Sequence, residues 1–183
     1  MKRGFQGLLI WVIFSTGIPL AGESVFPEAF TFNDSTYVQA NTSSVKLLGF
    51  IKLLSASLYL GEGYSVNDYP GSIPVALRLR YDRKFKKEQL IESADKVLKD
   101  LYTGEQLADI EGQLSTINST YLDVGKGDEY TLIYQPGVGT ALLFNGEERV
   151  SIPGERFAEI YFSIWLGDHP KTQKLSRALL KQS

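Results

Sequence analysis

Apolar and polar positions alternate most regularly between Ile73 and Asp82. The apolar members are Leu77, Leu79 and Tyr81, and the polar members between them are Arg78, Arg80 and Asp82. Successive side chains of a β-strand point to opposite faces, so this period of two predicts a strand. One face of its sheet is expected to be buried and the other solvated, as is common in antiparallel sheets.

A different period begins at Lys86, where apolar residues recur every three or four positions. The members of this stripe are Leu90, Ile91, Ala94, Val97, Leu98 and Leu101. The spacing predicts a helix over 86–101, which Thr103-Gly104 would end. Similar stripes predict helices over 105–117, 155–166 and 171–181. Gly167 fits the position after the helix over 155–166, and Pro170 prevents that helix from continuing.

Short apolar runs between turn residues predict the remaining strands. These runs cover 29–32, 37–40, 129–135, 140–145 and 148–152, and their turn signals are Asn33-Asp34-Ser35, Pro136-Gly137 and Asn145-Gly146. Residues 41–44 are interpreted as a polar break. The run Phe50–Leu60 fits a buried strand or a helix by periodicity alone. Gly49 and Gly61 bracket it and favour the strand.

The order of the predicted elements is strands, two helices, strands, two helices. Such segregated runs are typical of an α+β fold, in which an antiparallel sheet carries its helices on one face. No internal repeat and no long polar linker divides the chain. We therefore expect one domain over residues 22–183.

The first residues have the pattern of a secretory signal. Lys2 and Arg3 precede an uncharged apolar stretch over 7–20, and Ala21-Gly22 offers small residues for cleavage. The stretch is shorter than the roughly 20 residues that span a bilayer. A signal peptide over 1–21 is therefore favoured over an uncleaved anchor. It predicts a periplasmic or secreted protein with no stable membrane span after cleavage.

Composition excludes several functional classes. The formal net charge is −2, and the loss of Lys2 and Arg3 with the leader would make it −4. A mildly acidic domain lacks the basic surface that nucleic acid requires. The chain has no cysteine and a single histidine, His169. We therefore expect no disulfide, no thiol catalysis, no metal site and no cofactor.

The late part of the chain resembles the bacterial branch of the chalcone isomerase-like family. The residues that carry the resemblance stand in the family's order: Gly127-Asp128, Pro136-Gly137, Asn145-Gly146, Ile152-Pro153-Gly154, Phe157 and Ile164-Trp165-Leu166-Gly167-Asp168. The run Phe50–Leu60 and the passage from Leu79–Arg83 into the following helix are similar to two other blocks. Together the blocks cover most of residues 45–180.

The resemblance implies an open-faced β-sandwich, a long antiparallel sheet with a layer of helices on one face. A cleft between the two layers would hold a flat or elongated apolar ligand. In the plant enzymes of the family, an Arg guanidinium assisted by Thr and Tyr hydroxyls closes a flavanone ring. Fatty-acid-binding relatives use a matching Arg and Tyr to hold a carboxylate.

This chain departs from that catalytic pattern. The family's Arg lies just before the long apolar strand, but no Arg occurs here between Arg3 and Arg78. Lys46 is the basic residue at that place, and it lacks the planar guanidinium group that donates two parallel hydrogen bonds to an oxyanion. Leu54 stands where the enzymes carry Thr and cannot donate a hydrogen bond. The helical Tyr has no counterpart at 86–90, so we predict no catalytic residue.

Five residues are candidates for ligand binding: Lys46, Leu54, Tyr59, Tyr81 and Ser163. Lys46 would anchor an anionic head group, although a solvated lysine at a strand end is the simpler interpretation. The two tyrosines lie on strands expected to be neighbours, where they would line the cleft or pack in the core. Ser163 lies near the position where the enzymes carry a hydroxyl on the late helix.

The leading hypothesis is an exported, non-catalytic protein that binds a small apolar or amphipathic ligand similar to a fatty acid. One alternative is an intramolecular lyase or isomerase that acts on a chalcone-like conjugated carbonyl. Lys46 would then stabilise an enolate. Another alternative is an accessory periplasmic protein whose cleft is filled by its own side chains.

Overall fold

The computed structural model describes residues 25–182. The predicted signal peptide over 1–21 lies outside the described residues. None of the helices within 25–182 combines the length and the apolar character that crossing a bilayer requires.

Seven antiparallel strands form one sheet, and each strand pairs with its neighbours in the chain. The strands are β1 (Ala29–Phe32), β2 (Ser35–Leu47), β3 (Ile51–Gly61), β4 (Val75–Tyr81), β5 (Glu129–Gln135), β6 (Gly139–Phe144) and β7 (Glu147–Ile152). The run after Gly49 is therefore a strand, as its bracketing glycines predict. In this meander, each connection between consecutive strands lies at one of the two ends of the sheet.

Residues 25–182 contain five helices, which lie on one face of this sheet. They are α1 (Lys87–Leu101), α2 (Gly104–Ala108), α3 (Glu111–Ser119), α4 (Glu155–Leu166) and α5 (Gln173–Leu179), and a 3-10 turn covers Val66–Asp68 between β3 and β4. Helix α5 contacts β2 and β3, α4 contacts β6, and α3 contacts β7. The predicted α+β class, with an antiparallel sheet and helices on one face, is confirmed.

The predicted polar break over 41–44 is wrong, because β2 continues through it. Residues 41–44 pair with residues 55–58 of β3. The side-chain amide of Asn41 donates to the carbonyl oxygens of Leu179 and Lys181, at 3.0 and 2.8 Å. The polar residues therefore serve the contact with the end of α5, which their local sequence does not show.

The single helix predicted over 105–117 is also wrong, because α2 and α3 are separate. Helix α2 ends at Ala108, and Ile110, with a φ of −120°, is the N-cap residue from which α3 begins. Its side chain is only 2% exposed. The helical spacing also places Ile110 inward, so its burial agrees with the pattern while the backbone departs from it.

The helix-facing side of the sheet carries the main core, which the alternation of β4 predicts. Leu77, Leu79 and Tyr81 all belong to it. The opposite side was expected to be solvated, but that is wrong at its centre. A second apolar cluster lies there, formed by Phe26, Tyr37, Tyr59, Ala76, Ile133, Ala141 and Leu143. Phe26 and Phe30 from the start of the described chain provide the cover.

Two buried tyrosines connect the loop after α3 to α4. The hydroxyls of Tyr121 and Tyr161 form a hydrogen bond of 2.8 Å. Burial raises the pKa of both phenols, so both stay protonated near neutral pH. The ring of Tyr130 packs against Tyr121 at 4.9 Å between centroids. The pair therefore fixes α4 against the segment that leads into β5.

Replacing Tyr121 by Phe should lower the free energy of unfolding by about 1–2 kcal/mol, because the Tyr161 hydroxyl then stays buried without this partner. Tyr161→Phe should act similarly. The double Phe variant should cost less than the sum of the two, because it removes both polar groups. Urea unfolding of the four proteins measures this coupling. Strictly additive losses would contradict an energetically coupled pair.

Removal of the Thr140 hydroxyl, unlike removal of a tyrosine hydroxyl from the Tyr121–Tyr161 pair, should not lower the stability of the protein. The Thr140 hydroxyl is buried and finds no hydrogen-bond partner among residues 25–182. Thr140→Val should keep or raise the free energy of unfolding, by up to about 1 kcal/mol, since no bond is lost. Ser176→Ala is the contrast, because the Ser176 hydroxyl donates to the Leu166 carbonyl at 2.9 Å. It should lower stability by about 1 kcal/mol. Thermal unfolding would reject the assignment if Thr140→Val were the more damaging change.

Candidate functional site

A pocket of about 700 Å³ opens between α4 and the connection from β3 to β4. This volume lies within the range of small-molecule sites in proteins. The connection contributes residues 66–67 and 69–72, and α4 contributes one side of its surface. Val75 at the start of β4 and Tyr134 near the end of β5 place the pocket at one end of the sheet.

Local hydrogen bonds shape the connection. The Asp68 carboxylate accepts from the backbone N–H and the hydroxyl of Ser65, both at 2.8 Å. These bonds lower the pKa of Asp68, with the backbone bond as the larger cause. A Cβ on Gly71 would lie 2.6 Å from the Asp68 carbonyl oxygen, so the chain can turn back there only with glycine.

The floor of the pocket is apolar. Its buried members are Val75, Ala158, Phe162 and Leu166. Tyr134 lies beside them, and its hydroxyl is 3.3 Å from the Ser72 hydroxyl. Helix α4 provides this surface because its apolar residues extend around more than one face. One side faces the core, and another faces the pocket.

The rim of the pocket is polar and acidic. Glu155 and Glu159 on α4 are exposed and line it together with Asn67 and Gln182. The described residues that line the pocket include no Lys, Arg or His. The nearby Arg156 forms a salt bridge with Glu159, with a nitrogen–oxygen distance of 2.8 Å.

Two further tyrosines, Tyr69 and Tyr102, line the same pocket. Burial raises the pKa of Tyr69 to about 12, with smaller effects from Tyr102 and Glu159. Tyr69 therefore stays a neutral phenol near pH 7. The pocket combines an apolar floor, neutral hydroxyls and two rim carboxylates.

One of the predicted ligand residues, Ser163, lines this pocket. Its hydroxyl donates to the Ile160 carbonyl within α4 at 2.6 Å. The hydroxyl is therefore already engaged, and the side chain contributes mainly shape to the wall.

Three predicted residues come together at the other end of the sheet. Leu54 pairs in register with Tyr81 on one side and with Val45 on the other. Lys46 follows Val45 and is exposed. Tyr81 is 6% exposed and packs edge-on against Phe85. Any ligand contact of these residues stays a prediction, and it belongs to a different end from the pocket.

Tyr59 lies on the face of the sheet that turns away from the helices. Its side chain is fully buried in the second apolar cluster. The hydroxyl donates to the Pro27 carbonyl at 2.7 Å, and the ring packs against Phe30. The structure therefore separates Tyr59 from both the pocket and the group around Leu54.

Apart from Ser163, the residues that build the pocket were not identified from sequence. Tyr69, Tyr102, Tyr134 and Phe162 come from four separate segments. The one local signal is the cluster Tyr69-Pro70-Gly71-Ser72, a turn sequence between two strands that carries an aromatic residue. Its meeting with α4 depends on the folded chain.

The polar side chains of the pocket are hydroxyls, carboxylates and amides. Ser72 and Ser163 have no histidine beside them, because His169 bonds Asp100 at 3.1 Å outside the pocket. Within residues 25–182, no cluster of His, Cys, Asp and Glu has the composition of a metal site. Hydroxyl and carboxylate groups at a rim can orient a ligand through hydrogen bonds.

Comparison with known proteins identifies the family. No curated protein sequence matches the chain. The fold is similar to the crystal structure of a fatty-acid binding protein from Arabidopsis thaliana, with a TM-score of 0.62 and 15% identity over 85% of this chain and 90% of that one. At this identity, the likeness shows a shared fold. A profile described as chalcone isomerase-like matches residues 21–181. The chain therefore belongs to the chalcone isomerase-like family.

Proposed function

We propose that the protein is an exported, non-catalytic binding protein for a small apolar or amphipathic ligand of fatty-acid size. The observation that carries the proposal is the pocket beside α4, with its apolar floor of Val75, Ala158, Phe162 and Leu166. The leader pattern over 1–21 supports export to the periplasm or secretion. The fatty-acid binding protein that shares the fold supports a ligand of this class.

Burial of an acyl chain supplies the affinity in this proposal. Each methylene group transferred from water to the apolar floor contributes about 0.8 kcal/mol. Part of this gain offsets the loss of ligand freedom on binding. A chain of moderate length therefore reaches useful affinity without a strong ionic contact. The hydroxyls of Tyr69, Tyr102 and Ser72 then orient the polar end.

The placement of the family's catalytic position supports a non-catalytic role. Lys46 is exposed, and its neighbour across the strands is Lys52. Leu54 offers no hydrogen bond at the place of the enzymes' Thr. The isomerase alternative needs Lys46 beside an enolate oxygen in a dry site, where electrostatic stabilisation is strong. An exposed lysine at a strand end is a weak candidate for that role.

The ligand should occupy the space in front of Ala158, so filling that space should abolish binding. Ala158→Trp places an indole over the floor and should weaken binding of the neutral probe N-phenyl-1-naphthylamine at least about 10-fold, because it removes the apolar surface the probe would cover. Probe fluorescence and its displacement by 1-dodecanol measure the affinity. Ser72→Trp, at the exposed rim, is a second blocking variant in case the first does not fold.

Ala29→Trp is the matched control, because Ala29 is exposed on β1, away from the pocket. It adds the same side chain and should leave the affinity unchanged. Melting temperatures establish that each variant is folded. Equal probe binding by folded Ala158→Trp and Ser72→Trp would reject the pocket as the site. Lack of any binding by the unmodified protein would favour the filled-core alternative.

The acidic rim should also select the head group. A carboxylate at the rim meets Glu155, whereas Glu159 is partly neutralised by Arg156. Two like charges about 6 Å apart in water repel by roughly 0.7 kcal/mol, and by more beside a protein surface. We therefore expect 1-dodecanol and dodecylamine to bind more tightly than dodecanoate. Displacement of the neutral probe at pH 7.5 and low salt measures the series.

Glu155→Gln should strengthen dodecanoate binding about 3- to 10-fold and weaken dodecylamine binding, since it removes one repelling charge. Glu147→Gln, at an exposed site on β7, changes the net charge equally and should do neither. Added salt should shrink the difference between the ligands. A preference for dodecanoate that Glu155→Gln leaves unaltered would show that the rim does not set selectivity.

A further inference from the structure

The turn between β2 and β3 exposes three large apolar side chains. Leu47 is 51% exposed, Leu48 is 75% exposed and Phe50 is 74% exposed. We call these three residues the turn patch. They follow one another around Gly49 at the tip of the longest hairpin of the sheet. Scattered single apolar residues are normal on a protein surface, but a contiguous group at a projecting tip marks an interaction site.

The backbone of this turn makes its leucine unusual. Leu48 has a φ of +53° and Gly49 a φ of +80°. The N–H of Phe50 donates to the Leu47 carbonyl at 3.3 Å and closes the turn. The left-handed region is unfavourable for a leucine, whereas Asn, Asp and Gly adopt it readily.

Two other turns of the same sheet also have residues with positive φ, and these turns contain residue types that adopt such a conformation readily. Asn33-Asp34 joins β1 to β2 with φ values of +45° and +62°, and Asn145-Gly146 joins β6 to β7 with +51° and +86°. Both have a polar residue at the first position. Leu48 therefore occupies an unfavourable conformation and gains no burial in the folded chain. A contact outside the chain would explain its presence.

Basic residues surround the turn patch. Lys46 and Lys52 face each other across β2 and β3. Asp82 lies 3.6 Å from Lys52, an electrostatic contact longer than a hydrogen bond. The N–H of Asp82 donates to the Leu53 carbonyl, so the loop after β4 lies at the same end of the sheet. This loop continues with the exposed residues Arg83 and Lys84.

Several of these cations make no ion pair in the described part of the chain, although carboxylates such as Asp82 and Asp128 lie at the same end of the sheet. Within residues 25–182, Lys46, Arg83 and Lys84 make no ion pair. Lys126 is also unpaired and lies in the adjoining turn, which the Gly127 N–H fixes to the Tyr81 carbonyl. The whole chain has a formal net charge of −2. Even so, four cations that make no ion pair among the described residues, Lys46, Arg83, Lys84 and Lys126, lie at the end of the sheet that carries the turn patch.

We propose that this end of the sheet docks on an anionic phospholipid surface. Leu48 and Phe50 would enter the boundary between head groups and acyl chains, and the surrounding lysines would contact lipid phosphates. Exposed apolar residues flanked by cations are the combination that interfacial membrane binding uses.

Size favours a bilayer over a protein partner. A stable protein interface buries about 800 Å² on each side, more than three side chains at a turn provide. A lipid surface needs no matching cavity and accepts a convex tip. The ligand pocket lies at the opposite end of the sheet, so its residues take no part in the docking. The proposal therefore does not depend on pocket binding.

Flotation with lipid vesicles tests the docking. The purified protein should bind vesicles of 70% phosphatidylcholine and 30% phosphatidylglycerol at least about 10-fold more tightly than pure phosphatidylcholine. Raising NaCl from 50 to 500 mM should weaken the binding strongly. The double variant Leu48→Asn, Phe50→Ser should bind at least about 10-fold more weakly. Its melting temperature should stay equal or rise, because Asn suits the left-handed position.

Val138→Asn is the matched control, since Val138 is 59% exposed at the opposite end of the sheet. It should bind as the unmodified protein does. Lys46→Gln with Lys84→Gln should weaken binding to the anionic vesicles alone. Absence of vesicle binding, or equal binding by the patch variant, would overturn the proposal. So would a dimer in light scattering that dissociates in the patch variant, because the patch would then join two copies of this chain.

Discussion

The packing of α4 against the sheet is the interaction on which the rest of the structure depends. Phe157, Ile160 and Tyr161 on this helix are almost fully buried in the main core. Ala158 and Phe162, on the same helix, form the pocket floor. A helix that is apolar around most of its surface must be covered on most sides. Where its cover is incomplete, beside the β3–β4 connection, the fold leaves space for a ligand.

The meander divides the polar chemistry of the molecule between its two ends. Because each strand returns beside its predecessor, one end collects the β2–β3 turn and the loop after β4, and the other collects the β3–β4 connection. Lys46 and Lys84 lie at the first end, and Glu155 and Glu159 line the pocket at the second. An acidic chain can therefore present a local basic surface. Net charge alone does not describe what either end attracts.

Local periodicity accounts for the parts of the fold that sequence predicts well. Helix α4 has the predicted bounds, since its cap residues and apolar spacing are all local. The predictions that were wrong concern residues whose contacts are distant in the sequence. Asn41 pairs with β3, and its side-chain amide donates to the Leu179 carbonyl of α5, while Ile110 lies in the core between α2 and α3. The pocket is long-range too, because its walls come from segments that meet only after folding. Resemblance pointed to Lys46 and Leu54, at the other end, and to Ser163, which lines the pocket.

A shared fold does not carry a shared site, and this chain illustrates the reason. The sheet and helices are held by apolar packing, which tolerates many substitutions. Recognition of an anionic oxygen requires a particular cation at a particular place. Here Arg is missing at the strand position, and the described pocket presents carboxylates instead of a cation. Both differences weaken the binding of an anionic oxygen, whether that oxygen belongs to an enolate or to a fatty acid. The fold keeps an apolar cavity, and under the proposed function the polar residues around it would select the ligand.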